Sequence, residues 1–220
     1  MNKTSWLAAA LLLCMTPMAS ASVALEFNDA FTGDDPAGTP AWLTAVFENT
    51  VANTVQLTLT ANLQDPNEFN SNVWFNYSGA DASELVFSYV SGILGTFTGD
   101  TDQFNGGAGV KYDINGEYPT SNKNPALRFD GADTSVFTIF RAAGLDESDF
   151  NVVANSGGNV NNRFIATAHV QGIDGPAGSG HIYATEVEVV PEPASLAVWG
   201  CIGLMGIPYG IYRRRKAIKA

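Results

Sequence analysis

From position 55 to 63 apolar and polar side chains alternate: Val55, Leu57, Leu59, Ala61 and Leu63 interleave with Gln56, Thr58, Thr60 and Asn62. A period of two places one set on each face of a β-strand, whereas a helix would scatter the apolar set around its circumference. The same patterning predicts strands over residues 23–27, 42–48, 73–77, 85–91, 110–114, 135–141, 164–170 and 182–189. Between these runs lie turn formers: Gly33 to Pro36, Gln64 to Asn67, Asn105 to Gly107, Ile114 to Gly116 and Asn155 to Gly158. One modest helical stretch is predicted over 144–150. Short strands joined by polar turns predict an all-β fold, a single antiparallel β-sandwich with a jelly roll as its close variant. A parallel α/β fold would need amphipathic crossover helices, which this pattern lacks.

Two terminal runs break the alternation. Near the start, Lys3 supplies a positive charge, Trp6 to Cys14 form a short apolar run, and Ala19, Ser20 and Ala21 offer small-x-small spacing. These features predict a signal peptide over 1–21, cut after Ala21 by signal peptidase to leave Ser22 as the new N-terminus. At the other end, residues 194–212 carry no charge and are followed at once by Arg213, Arg214, Arg215 and Lys216. As a helix this stretch would span roughly 28 Å at about 1.5 Å per residue, about the thickness of a bilayer core. A basic cluster after an apolar span marks the cytoplasmic side. The expected topology is therefore domain outside and tail inside, with residues 22–190 as the exported domain. Gly206 and Gly210 within the span form a small-residue pair of the kind that lets helices approach closely, and Pro208 would loosen its end.

Just before the span stand Pro191, Glu192 and Pro193. Two prolines around one acid make a stiff, extended strip that a protease can reach, because each ring fixes its own φ and biases its predecessor away from helix. Pro-Glu-Pro, an apolar helix and a terminal Arg cluster, in that order, resemble the PEP-CTERM sorting signal of bacteria that make extracellular polysaccharide. The resemblance implies that Pro191, Glu192 and Pro193 are processing residues, recognised by a membrane exosortase that cuts nearby. The segments 42–47 and 168–173 are also similar to a recurring ectodomain of PEP-CTERM proteins, a likeness that carries no known activity.

Charge sharpens this division. The chain totals −11, yet residues 22–190 hold five basic side chains (Lys111, Lys123, Arg128, Arg141 and Arg163) against 21 acidic ones, a net of −16. Five scattered cations cannot neutralise a phosphate backbone against that field, which excludes nucleic acid as a partner. Such a domain should repel anionic polymers and attract divalent cations. The two cysteines, Cys14 and Cys201, both fall outside it, so the exported domain is stabilised without a disulfide.

Candidate chemistry within the domain is sparse. His169 alternates with Ala168 and Val170 and is expected on the face opposite them; His181 has a Gly-Ser-Gly flank that reads as a loop. Neither has a nucleophile signature beside it, and two isolated histidines without a cysteine do not predict zinc. Carboxylates are plentiful, Glu186 and Glu188 sharing one predicted face, but an acid pair acting on a glycosidic bond needs a spacing across a cleft that sequence does not reveal. Asp100, Asp102 and Asn105 beside glycines, and Asp113, Asn115 and Glu117 in a second turn, are oxygen-rich enough for calcium, although neither has EF-hand spacing and ordinary Asx turns account for both. Trp42, Trp74, Tyr77, Tyr112 and Tyr118 could form a sugar-stacking platform, with Trp74 the leading carbohydrate contact because it alternates against Val73 and Phe75. The sequence therefore predicts a non-enzymatic exported surface or matrix protein without a required cofactor. A carbohydrate-binding module, with or without calcium, is the alternative reading and an extracellular hydrolase the third.

Overall fold

The structure is a computed structural model that describes residues 22–174, 178–185 and 187–190, the last four by their backbone. The readings that fall on Ala19, Ala21, the Pro191 to Pro193 strip, the apolar span 194–212 and the basic cluster from Arg213 to Lys216 lie outside the described residues. Among the described residues no helix is long and apolar enough to cross a membrane.

The chain forms β1 (Ser22–Phe27), β2 (Asp29–Gly33), β3 (Leu43–Val51), β4 (Thr54–Ala61), β5 (Phe69–Phe75), β6 (Val86–Gly92) and β7 (Thr96–Asn105). It continues through β8 (Val110–Glu117), β9 (Phe129–Asp130), β10 (Thr134–Phe140), β11 (Ser156–Gly157), β12 (Ala166–Gln171), β13 (Ser179–Ala184) and β14 (Val187–Val190). One sheet runs β14-β1-β3-β4-β10-β6; the other runs β11-β8-β5-β12-β13-β2, with β7 paired to β8 and β9 to β5. Every neighbouring pair is antiparallel. The chain is all-β, as its period-two pattern predicts.

The alternation does the structural work. In β4, Val55, Leu57, Leu59 and Ala61 are buried while the residues between them are partly exposed. They join Leu25, Phe27, Leu43 and Phe47 from the same sheet and Val73, Phe75, Ile114, Ala168, Val170 and Ile182 from the other in one core cluster. Each large side chain removed from water in this way contributes about 1.5–3 kcal/mol. The predicted helical stretch is a single 3-10 turn, Glu147–Phe150, closed by a capping box between Asp146 and Asp149. It delivers Phe150 onto Phe47, ring centroids 4.4 Å apart and nearly parallel.

Several expectations are corrected. Ile114, Asn115 and Gly116 do not turn: they continue β8, and Gly116 is required there because a Cβ would lie 2.5 Å from the Phe97 ring. The run over 182–189 is two strands, not one, because the chain leaves β13 after Ala184 and enters the opposite sheet as β14. His181 lies inside β13, not in a loop; Gly180 permits this by letting Asp34 pack at a distance where a Cβ would collide with its carbonyl oxygen. Four strands escaped the pattern altogether: the two-residue β9 and β11, the latter inside the predicted turn over 155–158, and the longer β2 and β7. Of the longer two, β2 has no fully buried side chain, and β7 has only Phe97.

Candidate functional site

The outer face of the second sheet carries a cluster of rings around the two histidines. On β12, Ala166, Ala168 and Val170 enter the core, which leaves Thr167 and His169 on the opposite side as their alternation predicts. His169 is the register partner of His181 on β13. Their rings stack with centroids 4.6 Å apart and an interplanar angle of 23°. The His181 ring also lies 6.0 Å from Trp74 and 5.8 Å from Phe31, and Phe31 leads on to Phe164 and Tyr183, themselves stacked at 3.8 Å. The turn from Asn105 to Gly109 folds back over this face. Thr167 Oγ1 donates to the Gly106 carbonyl at 2.9 Å, and a Cβ on Gly107, whose φ is +105°, would stand 2.9 Å from both His181 and Phe31.

Hydroxyls from the flanking strands hold both imidazoles. Ser71 Oγ on β5 lies 2.9 Å from His169 Nδ1, and Thr32 Oγ1 on β2 lies 3.0 Å from His181 Nδ1. Ser71 Oγ also lies 3.3 Å from the His169 carbonyl, so its single proton has two acceptors within reach, that oxygen and the ring nitrogen. Burial lowers the pKa of His169; burial, and then the nearby charge of His169, push His181 down to about 4. Both rings are neutral at neutral pH.

The Ser71–His169 contact has the reach of a nucleophile and its base, but Ser71 is only 2% exposed and has the His169 carbonyl as a second acceptor for its proton. No carboxylate bonds either ring among the described residues, so the third member of a catalytic triad is missing there.

The five aromatic residues proposed as a sugar platform do not form one open surface. Trp42, Tyr77 and Tyr118 belong to the core between the sheets, while Trp74 and Tyr112 build a second cluster with Val110 and Ala154. Trp74 does turn away from Val73 and Phe75, yet it is only 7% exposed. Asp100, Asp102 and Asn105 lie along β7, where pairing to β8 is interrupted between Gly99 and Phe104. Asn105 Oδ1 accepts the Gly107 N–H at 3.2 Å, an Asx turn. In the second acidic set Asp113 is engaged by backbone N–H groups, and Asn115 donates to Glu117 at 2.9 Å. No group of three or more His, Cys, Asp or Glu side chains is gathered among the described residues.

What sequence reasoning missed is the meeting of His169 and His181. Positions 12 residues apart come into register only through the pairing of β12 with β13, which alternation within either strand does not reveal. Glu68 went unnoticed as well: it is 1% exposed, burial raises its pKa, and it accepts the Ala37 N–H at 2.8 Å. Compared with protein-family models, with curated proteins and with solved structures, the chain gives no significant match to any of the three.

Proposed function

We propose that this chain is a non-enzymatic, exported surface or extracellular-matrix protein of a polysaccharide-producing bacterium, delivered by a two-ended sorting device around one β domain. A signal peptide over 1–21 starts export, and the span 194–212 holds the protein in the inner membrane with Arg213 to Lys216 inside. Exosortase then recognises Pro191, Glu192 and Pro193 and cuts near them. The two antiparallel sheets sharing one core support reading residues 22–190 as a β-sandwich, with a jelly roll as the variant.

The observation that carries the reading is a register pair. Ser22, the residue exposed by the expected signal-peptide cut, pairs with Val190, the last residue before the Pro-Glu-Pro strip, on the neighbouring strands β1 and β14. Residues 22–190 form one compact unit. Both expected cuts therefore fall just outside the paired segment, so processing removes the delivery ends and spares the fold. Secretion, not chemistry, then explains why charge is so unevenly divided along the sequence.

The test is fractionation of a host that carries an exosortase, with native chain beside a variant in which Pro191, Glu192 and Pro193 are all alanine. The native domain should reach the extracellular fraction, and the variant should accumulate in the membrane at uncut length. Equal release of both would defeat the proposed role of the strip.

A further inference from the structure

We propose that His169 and His181 together form a chelating site for a borderline divalent transition metal, with Cu(II) bound more tightly than Zn(II). The proposal is independent of the sorting reading, because it rests on the outer face of one sheet.

Four observations combine. The two residues are direct register partners on antiparallel strands, so both side chains leave the same face at the same level. Their rings are already stacked at 4.6 Å. Each Nδ1 is engaged by a hydroxyl of the next strand outward, Ser71 on one side and Thr32 on the other. This is the outer-shell arrangement that fixes the tautomer and aim of a metal-binding histidine. Finally, among the described residues no protein group bonds either Nε2, and both residues are partly exposed, so an ion arriving from solvent meets two imidazole edges that carry no protein partner.

The geometry sets the kind of ion. Two metal–nitrogen bonds of about 2.0–2.1 Å each bring their nitrogens within about 4 Å of one another, so chelation needs the two rings to turn out of their stacked arrangement until both Nε2 edges converge on one ion. Imidazole suits copper, zinc and nickel, whereas calcium and magnesium demand oxygen. With two protein nitrogens, the remaining positions belong to water, which makes the ion exchangeable. The Irving–Williams order then places Cu(II) ahead of Zn(II). Trp74, 6.0 Å from His181, reports on the site, since a bound Cu(II) quenches a neighbouring indole.

The experiment titrates the full chain in detergent at neutral pH with Cu(II), Zn(II) and Ca(II), following heat and tryptophan fluorescence. Native protein, His169→Asn, His181→Asn, the double variant and Thr32→Val are compared, each first checked by circular dichroism for native β content. One Cu(II) per chain is expected, with a weaker Zn(II) isotherm and no Ca(II) signal arising from the pair. Each single histidine variant should weaken Cu(II) by more than about 10-fold, and Thr32→Val, which keeps both ligands, by about 10-fold. The magnetic resonance spectrum of the Cu(II) form should show coupling to two equivalent nitrogens, and that of the double variant should not. Cys14 and Cys201 are present in every chain, so differences between variants isolate the histidines. A folded double variant that binds Cu(II) as tightly as native, or a native chain with no nitrogen coupling, would overturn the proposal.

Discussion

Asp113 accepts the backbone N–H of Asp102 through Oδ1 at 2.7 Å. Its other oxygen accepts the N–H of Tyr77 at 2.9 Å, so one carboxylate on β8 ties down both β7 and the segment that follows β5. Asp102 needs such a tie, because its φ of 54° places a residue other than glycine in the left-handed region, at a cost of about 1–2 kcal/mol. Asp113 is itself 8% exposed, which leaves little room for water to replace it. Asp113→Ala orphans both donors and should cost about 2–4 kcal/mol in urea unfolding. Asp113→Asn keeps one acceptor and should lose about half as much. An alanine variant within about 0.5 kcal/mol of native would show that the carboxylate is dispensable.

Trp74 fills the space between the outer-face cluster and His181. Trp74→Ala leaves a cavity there and should destabilise by about 3–5 kcal/mol, read as a lowered melting temperature. Trp74→Phe keeps much of the volume and should cost less. Because the ring has no free face, retention of the native chain on any host polysaccharide should be unchanged by Trp74→Phe. Loss of retention in a Trp74→Phe chain of native stability would restore the ring as a sugar contact.

Acid should weaken the fold before the carboxylates titrate. The folded value of His181, about 4, lies below the unfolded histidine value of about 6.5. The unfolded chain therefore takes up the proton first, and stability that is complete above pH 6.5 is lost as pH falls from there through about 4. The side chains packed around the ring, Thr32, Trp74, Phe31 and His169, include no carboxylate to oppose this. With the rings partly exposed, the loss discounts to about 1–2 kcal/mol over the whole window. Urea midpoints between pH 7 and 5 should fall in native protein and stay flatter in His181→Asn. Parallel slopes for the two proteins would remove His181 as the cause.

The strands legible in the sequence are those with one dry face and one wet face. In β4 and β10 alternate residues meet either the core or solvent, and the pattern records that choice directly. β7 was hidden because it buries only Phe97, so its Asp100, Asp102 and Asn105 resemble a cation loop when read without their partner strand. The break between β13 and β14 does leave a trace: apolar residues fall on even positions at Ile182 and Ala184 and on odd ones at Val187 and Val189, a change of phase where the chain changes sheets. Gly116 read as turn chemistry, although it marks the place where Phe97 presses on a strand. For the candidate site, the outward aim of His169 followed from Ala168 and Val170, whereas its partner depended on register, which is a property of two strands at once.

The central claim is that the working molecule is the unit bounded by Ser22 and Val190, freed of both ends. Intact-mass and terminal-peptide mass spectrometry of the extracellular protein tests it most directly. The account predicts an N-terminus at Ser22 and a C-terminus within residues 190–195. Exported molecules that all retain Arg213 to Lys216 would contradict it.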